Sequence, residues 1–381
     1  MDFNFSSEQE KIRLEVREFA RTELAPHSAE WDREDRFPWE AVKLMGERGY
    51  MGTLFPKRLG GHERSHVELG ITVEELARGD STCAFIVAAQ NGWGQEPVKW
   101  GDDFLRDVIK GNKVFAIGST EPGMGSDSTA PRTTATLEGD TYVIRGVKAY
   151  ISFAPVATMM GCTCRTLPDS VGMTGISYLK VPMDAPGVKV TTMPEMGMKA
   201  HTLGRIELAN VRIPRSELLL PEHKGMYQVF AKWNLMRLLN TINPLGAALQ
   251  SLEETMEYVK SRKAFGRPIA QNEAVQFKIV DDYISIEAGR MLVYRALSLM
   301  DENKPAAKEA AMAKAFGTVA AFRAVDNCLQ NGGAFAYTSL SPIEQRFRDI
   351  RSWQLANGSV EMMKAIVGAE LLGREYQAYK V

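Results

Sequence analysis

The sequence predicts an α+β protein in which a β-rich segment separates two helical segments. In SSEQEKIRLEVREFARTEL, near the start, apolar residues recur at helical spacing, and Ser7 and Glu10 are arranged as a capping box. From about residue 114 to 215, short runs rich in β-branched residues alternate with turn residues. Helical spacing returns after about residue 225. Helices, a β insert and longer helices place the sheet in the middle of the architecture.

These changes of pattern set the expected domain boundaries. We expect an N-terminal helical domain, a middle β domain and a C-terminal helical domain, over residues 1–113, 114–222 and 223–381. Within the middle domain, TATLEGDTYVIRG predicts a hairpin that turns at Glu138-Gly139-Asp140. In the last domain, Pro244 predicts a kink or break in the first helix. The helices expected there cover 225–262, 270–302, 305–331 and 358–377.

Composition narrows the possible classes of function. The formal net charge of −1 over 381 residues gives no electrostatic reason to bind nucleic acid. No apolar run approaches the roughly 18 residues that span a bilayer, and the charged N-terminus does not resemble a signal peptide, so we expect a cytoplasmic protein. Four cysteines are too few for a disulfide scaffold. Cys162 and Cys164 are expected to be strand neighbours on opposite faces, and no metal site is expected.

A glycine- and serine-rich stretch, GSTEPGMGSDSTA at 118–130, is the most informative part of the chain. Gly123 and Gly125 allow the backbone to approach a ligand closely. Thr120, Ser126 and Ser128 supply hydroxyls, and successive N–H groups could bind an anion or a ring carbonyl. Taken alone, such a stretch is more often an ordinary loop.

Six stretches, in order, resemble motifs of the acyl-CoA dehydrogenase family, flavoenzymes that oxidise acyl-CoA thioesters. The loop above is similar to the family's TEPGAGSD signature, and the similarity extends from about residue 5 to 373. The other five stretches are FPKRLGG (55–61), GVKAYIS (146–152), RKAFGRPIAQNEAVQFKIVD (262–281), LQNGGAFAYTSLSPIEQRFRD (329–349) and ANGS (356–359).

The resemblance implies a fold, a cofactor and partners. The fold would be an N-terminal all-helical domain, a middle β-barrel-like domain and a C-terminal four-helix bundle. FAD would lie at a subunit interface of a homotetramer. An acyl-CoA thioester would be the substrate, and an electron-transfer flavoprotein or another acceptor would be the redox partner.

The resemblance also assigns residues to the cofactor and to the substrate. Arg262 and Phe265 would reach FAD from a neighbouring subunit, and Tyr150 replaces the family's more usual Trp beside the flavin ring. The implied FAD contacts are Thr120, Gly125, Ser126, Tyr150, Ser152, Arg262, Phe265, Gln330, Gly333, Ser359 and Glu361. The implied substrate contacts are Ser126, Arg237, Gln90, Asn91 and Asn357.

The catalytic base of the family is missing from both of its usual positions. Relatives abstract the α-proton with a Glu in a YEGT motif, where this chain has Asn357, or with a Glu just before an Arg, where it has Met236. An amide and a thioether are not bases at neutral pH. General-base catalysis contributes about 10²–10⁴-fold to a rate, so its loss calls for a substitute or for different chemistry. Glu361 and Glu96 remain as candidates.

Gln90 and Asn91 lead to a prediction about the size and polarity of the acyl group. They fall on the helix expected to form the floor of the acyl pocket, where a long alkyl chain would need apolar lining. Together with Trp93 they favour a short, polar or cyclic acyl group. The alternative is that both amides face a neighbouring helix, and the sequence does not decide between these two interpretations.

Four functions are compatible with the sequence. The first is an acyl-thioester oxidoreductase whose base has moved or is supplied by the substrate. The second is chemistry without α-proton abstraction, such as enoyl reduction, elimination, or removal of a carboxyl or sulfinate group. The third is a flavin monooxygenase or oxidase, which the TEPGMGSD loop and Arg237 disfavour. The fourth is a silent FAD- or CoA-binding subunit of a hetero-oligomer, which the intact flavin-side residues disfavour.

Overall fold

A computed structural model describes residues 4–95 and 98–379. Its first third is helical, as predicted. Ser6, not Ser7, caps the first helix, because Ser6 is extended and its hydroxyl accepts a hydrogen bond from the Gln9 N–H at 3.2 Å, so the predicted capping box is wrong by one residue. The helices are α1 (Ser7–Phe19), α2 (Ala25–Glu34), α3 (Trp39–Glu47), α4 (His66–Gly79), α5 (Ser81–Gly94) and α6 (Asp102–Ile109).

The middle of the chain forms a curled seven-stranded sheet, which confirms the β-barrel-like domain. The predicted hairpin is present: Glu138 pairs with Thr141, and Gly139 at φ 64° lies in the turn. The strand order is β1-β4-β2-β3-β7-β6, with β5 paired to β4. The strands are β1 (Phe115–Gly118), β2 (Thr134–Glu138), β3 (Thr141–Ile151), β4 (Met159–Arg165), β5 (Ile176–Pro182), β6 (Val188–Thr192) and β7 (Gly204–Pro214).

The C-x-C pair lies in β4 and points into the core of the sheet. Its two sulfur atoms are 3.5 Å apart, so Cys162 and Cys164 lie on one face and the prediction of opposite faces is wrong. Side chains two residues apart on a strand share a face, and both thiols are fully buried here. The pair therefore has a packing role.

The C-terminal part is a helical bundle, as predicted: α7, α8 and α9 pack against one another, and α11 packs against α9. Helix α7 continues through Pro244, so no break occurs there. Contacts with the N-terminal helices hold α7 on both sides of the proline: the Asn243 amide donates to the Ser81 carbonyl at 2.8 Å, and Gly246 lies against the backbone of Glu74. The helices are α7 (Gly225–Ser261), α8 (Glu273–Asp301), α9 (Ala307–Tyr337), α10 (Pro342–Ile350) and α11 (Val360–Leu372).

One hydrophobic core joins the N-terminal and C-terminal helices, and a second core fills the sheet. The helical core reaches the end of β3, where Phe153 stacks on Phe85 of α5 with ring centroids 5.3 Å apart, and Phe85 contacts Trp353 at 4.9 Å. The end of β3, the middle of α5 and the connection between α10 and α11 are thereby brought together. No helix in the described part of the chain is long and apolar enough to cross a membrane.

Candidate functional site

The loop after β1 is held by a buried ion pair that sequence reasoning missed. The Glu121 carboxylate lies 2.7 Å from the Lys148 ammonium, and both side chains are buried. It also accepts hydrogen bonds from the N–H groups of Arg132 and Thr133 at 2.7 and 3.1 Å. Burial acts to raise the pKa of Glu121, but Lys148 and these hydrogen bonds outweigh it and lower the pKa. Glu121 therefore stays ionised and ties both ends of the loop together.

The end of β3 presents an aromatic ring to solvent beside this loop. Tyr150 is 58% exposed and has a positive φ of 58°, at a shift in the β3–β7 register between Lys148 and Ile151. The N–H of Ala149 donates to the Thr120 carbonyl at 3.1 Å, which fixes the loop to the strand. A strained, exposed aromatic of this kind is a feature of ligand sites. The geometry suits a flat ring lying along Tyr150, with Thr120 and Ser152 nearby in the same two segments.

Open space surrounds the glycines of the same loop. A side chain added at Gly123 or Gly125 would meet no atom within 4 Å, and Gly123 has a φ of 79°. Ser126 is exposed. The loop thus leaves its backbone accessible to a ligand, as the sequence predicts for FAD and thioester binding.

The residues assigned to the far end of FAD lie on the C-terminal helices. Phe265, at φ 52° in the two-residue hairpin between Lys263–Ala264 and Arg267–Pro268, is fully exposed, and Arg262 and Gln330 are also exposed. Gly333 interrupts α9 with non-helical angles (φ 58°, ψ −144°). A cavity of about 350 Å³ beside it is lined by Tyr258 and Phe335, whose rings stack at 5.7 Å. These groups are therefore accessible at the surface of the chain.

Asn357 lies in a short loop that a buried lysine organises. Asn357 and Gly358 both have positive φ, 53° and 91°, and Ser359 caps α11. The Lys314 ammonium of α9 donates to the carbonyls of Trp353 and Ala356 at 2.8 and 2.7 Å. Burial, followed by the charge of Arg237, lowers the pKa of Lys314 to about 7. Lys314 fixes the backbone on the N-terminal side of Asn357, and the sequence analysis did not single it out.

Met236 and Arg237 lie on α7. Met236 is fully buried and packs against Gly92 of α5. Arg237 is 8% exposed, donates to the Asn234 amide oxygen at 2.8 Å and has a buried Nε without a partner. Burial lowers the pKa of Arg237 to about 10. The thioether of Met236 supplies no proton acceptor.

One of the two remaining candidate bases is poorly placed to abstract a proton. Glu361 is exposed, and hydrogen bonds from its own backbone N–H and from Ser359 lower its pKa, which makes its carboxylate a weaker base. Glu96 lies outside the described residues. Positions 236 and 357 thus carry no carboxylate, and the Lys314 ammonium holds the backbone beside Asn357.

Gln90 and Asn91 hold backbone segments in place. Gln90 exchanges two hydrogen bonds with the backbone of Phe115, at 3.1 and 3.2 Å. The Asn91 amide accepts from the Leu54 N–H at 2.9 Å and donates to the Tyr50 and Val87 carbonyls, each at 3.0 Å. Both side chains are fully buried. This arrangement matches the alternative in which they face neighbouring structure, and it removes their support for a polar acyl pocket.

Replacing Gln90 with Leu is expected to destabilise the fold without changing acyl selectivity. The substitution leaves the Phe115 N–H and carbonyl buried and unpaired, at a cost of about 1–3 kcal/mol. Urea unfolding measures this loss, and Gln95→Leu, at the half-exposed end of α5, is the matched control. An unchanged unfolding free energy, or a changed preference among acyl-CoAs, would contradict this role.

Asp349 of α10 gives the site region a predictable pH dependence. It is fully buried, accepts a hydrogen bond from the Met198 N–H, and burial raises its pKa from 3.8 to about 8. Between these values the unfolded chain releases the proton and the folded chain retains it. The contribution of protonated Asp349 to the free energy of unfolding is therefore full below the pKa of the unfolded chain, and it is lost as pH rises to about 8.

Asp349→Asn keeps an oxygen acceptor and removes the titration. As pH rises from about 4 to about 8, the variant is expected to become more stable relative to the wild type, by on the order of 1 kcal/mol or more. The difference between their melting temperatures should change accordingly. Thermal melts across this range provide the measurement. A constant difference between the two proteins would show that Asp349 does not titrate in this way.

Comparison with known proteins places the chain in a family. Its three parts match the family models for the N-terminal, middle and C-terminal domains of acyl-CoA dehydrogenases, over residues 6–107, 116–211 and 223–372. The chain is 32% identical to the probable acyl-CoA dehydrogenase YngJ of Bacillus subtilis (strain 168), over 98% of this chain and 100% of that protein.

Two further comparisons agree. The chain is 32% identical to 3-(aryl)acrylate reductase of Clostridium sporogenes (strain ATCC 15579), over 97% of this chain and 99% of the relative. The structure of butyryl-CoA dehydrogenase from Megasphaera elsdenii superposes with a TM-score of 0.92 and 28% identity, over 98% of this chain and all of that one. The chain therefore belongs to the acyl-CoA dehydrogenase family, whose members are flavoenzymes that act on CH–CH groups.

Proposed function

We propose that the chain binds FAD and an acyl-CoA thioester and acts at the Cα–Cβ bond without a carboxylate base at either usual position. The observation that carries this proposal is that Asn357 and Met236 stand at the two positions where relatives carry a carboxylate, while the Lys314 ammonium holds the backbone beside Asn357. Family membership supports the thioester, and the geometry of Thr120, Tyr150 and Ser152 suits a flavin ring.

FAD would be held in two parts. When bound, it exchanges a hydride with the β-carbon of the acyl group. Thr120, Gly125, Ser126, Tyr150 and Ser152 would hold the ring end, and Arg262 and Phe265 of a neighbouring chain would hold the other end. Gln330, Gly333, Ser359 and Glu361 would make further contacts with FAD.

A homotetramer is proposed because α8 exposes an apolar stripe at helical spacing. Its members, each at least 40% exposed, are Phe277, Val280, Ile284 and Met291. A second copy covering this stripe would bring the fully exposed Phe265 to a neighbouring cofactor. An electron-transfer flavoprotein or another acceptor would then exchange electrons with the bound flavin.

A second candidate is reduction of an unsaturated thioester. Reduction requires a proton to be delivered to the α-carbon, which solvent can supply, and does not require its abstraction by a carboxylate. The absence of a carboxylate at residues 236 and 357 favours this direction, and so does similarity to a relative named for acrylate reduction.

The test uses purified protein reconstituted with FAD under anaerobic conditions. Butyryl-CoA is expected to shift the visible spectrum of the flavin but to bleach it slowly. Crotonyl-CoA is expected to reoxidise dithionite-reduced flavin if the reductive direction operates. Failure to retain FAD, or an unchanged spectrum with every thioester, would overturn the proposed function.

A further inference from the structure

The β6–β7 loop (residues 193–203) joins the sheet to the C-terminal helices. Near its middle, the Met198 N–H donates a hydrogen bond to the buried carboxyl of Asp349, at the end of α10. The Met198 sulfur lies 3.5 Å from the Ser352 hydroxyl, in the turn that follows α10. The loop is therefore attached to the segment that leads to Asn357.

His201 attaches the same loop to the segment proposed to hold the flavin ring. Its carbonyl accepts a hydrogen bond from the Phe153 N–H at 3.1 Å, one residue after Ser152. Its ring contacts those of Phe153 and Phe85, with centroids 6.0 and 5.8 Å away. Because Phe85 also contacts Trp353, the loop lies between the end of β3 and the turn after α10.

Hydrogen bonds inside the loop hold its shape. His201 is 6% exposed, and burial lowers its pKa to about 4, so the ring is neutral at pH 7. Its Nδ1 lies 2.6 Å from the Met198 carbonyl, which can only accept, so Nδ1 carries the proton. The Glu195 carboxyl lies 3.2 Å from the same Nδ1 and accepts from the Leu203 N–H at 3.1 Å. Glu195 thereby ties the beginning of the loop to its end.

The two carboxyls attached to the loop are protonated at neutral pH. Burial raises the pKa of Glu195 and that of Asp349 to about 8. The other carboxylates that act on these two groups are Asp32, Asp35 and Asp80. The cation that acts on Asp349 is Arg348, which is already paired with Asp32 at 2.7 Å and with Glu344 at 2.9 Å. Ionised Glu195 and Asp349 would therefore be buried among carboxylates, which is costly.

We propose that the β6–β7 loop is a positioning element that holds the flavin-side segment at Ser152 against the segment leading to Asn357, and that FAD binds more tightly when this loop is closed. The proposal rests on the FAD binding proposed above. Closing the loop requires Glu195 and Asp349 to keep their protons. Loss of these protons opens the loop and weakens FAD binding.

The two carboxyls give this coupling a defined pH window. Their ordinary pKa values are 4.5 and 3.8, and both rise to about 8 in the closed loop, so opening releases protons between these limits. Closing is therefore most favourable below the ordinary values, weakens as pH rises, and stops changing above about pH 8, where both states are ionised. The plateau distinguishes Glu195 and Asp349 from groups that titrate at higher pH.

Equilibrium dialysis of the FAD-loaded full chain tests the coupling. Bound and free flavin are measured by absorbance between about pH 5 and about pH 9, and far-UV circular dichroism shows that the chain stays folded. The dissociation constant of FAD is expected to rise at least about 10-fold from about pH 5 to about pH 8 and then to stay constant. A dissociation constant that does not change over this range would overturn the proposal, because a loop that only stabilises the fold would leave FAD affinity unchanged.

Amide variants test the two carboxyls directly. The double variant Glu195→Gln, Asp349→Asn keeps the acceptors for the N–H groups of Leu203 and Met198 and removes both titrations. Its dissociation constant for FAD should not change with pH and should lie below that of the wild type at about pH 8. Glu138→Gln, which changes an exposed carboxylate of β2, should keep the wild-type rise.

Single variants keep the test decisive if the double variant does not fold. Glu195→Gln and Asp349→Asn should each show a smaller rise than the wild type, because each removes one of the two titrations. A full wild-type rise in the double variant, or in both single variants, would overturn the proposal.

The outcomes also separate this proposal from the proposed function. A chain that retains no FAD at any pH tested would overturn the proposed function, and the positioning role of the loop with it. A chain that retains FAD with a dissociation constant independent of pH would overturn only the coupling through the β6–β7 loop.

Discussion

Replacing Asn357 with Glu is expected to accelerate flavin reduction by butyryl-CoA by about 10²–10⁴-fold, the usual contribution of a general base. The substitution puts a carboxylate at the position where relatives carry theirs. Lys314 holds the carbonyl of the preceding residue, so the backbone at 357 is already fixed. The Lys314 ammonium, which donates to the Ala356 carbonyl, would also stabilise the new negative charge.

The backbone conformation of residue 357 limits this increase in the rate of flavin reduction. Asn357 has a φ of 53°, a region that Asn tolerates and Glu adopts at a cost of about 1–2 kcal/mol. The control is Asn357→Gln, which has the same length and strain but no basicity. Stopped-flow absorbance of the flavin measures both variants. Equal rates for the Gln and Glu variants would show that the missing carboxylate does not limit the reaction.

Glu121→Gln is expected to lower the free energy of unfolding by about 3–5 kcal/mol, because it leaves the Lys148 ammonium buried without its counter-charge. The loop from Thr120 to Arg132 would lose its anchor, so FAD retention should fall as well. Urea unfolding and the ratio of flavin to protein after gel filtration provide the two measurements.

An exposed ion pair on the same sheet supplies the control. Glu138 lies 3.0 Å from Arg212 and both side chains are exposed, so Glu138→Gln should cost no more than about 1 kcal/mol and should leave FAD content unchanged. In the double variant Glu121→Gln, Lys148→Met, the uncompensated charge is gone and part of the stability should return. Equal losses for Glu121→Gln and Glu138→Gln would refute the anchoring role.

Local patterns in the sequence predicted the three-part architecture because periodicity and turn chemistry are local properties. The hairpin at Glu138-Gly139-Asp140 required only neighbouring residues. The break expected at Pro244 is absent for the opposite reason: the contacts that keep α7 continuous come from Ser81 and Glu74, which are far away in the chain. The continuity of α7 therefore depends on packing between segments that are distant in sequence.

The motifs identified segments of the candidate site, but they did not identify the contacts between residues that are distant in sequence. The order of motifs assigned Thr120 and Tyr150 to two segments that the hydrogen bond from the Ala149 N–H to the Thr120 carbonyl joins, and the roles of these residues and of Asn357 stay predictions. It could not show that Glu121 pairs with Lys148, or that Lys314 binds the carbonyl of Ala356, because nothing local marks those partners. For the same reason, the polarity of Gln90 and Asn91 did not reveal that their partners are backbone groups.

Exchange of the α-hydrogens of butyryl-CoA with deuterium from the solvent tests the central claim most directly. FAD-loaded protein is incubated anaerobically with the thioester in D₂O, and deuterium at the α-carbon is followed by mass spectrometry. Because this exchange needs only proton abstraction, it is independent of the electron acceptor. We expect exchange with Asn357→Glu and none above the protein-free rate with the wild type. Rapid exchange in the wild type would show that another group of this chain is the base.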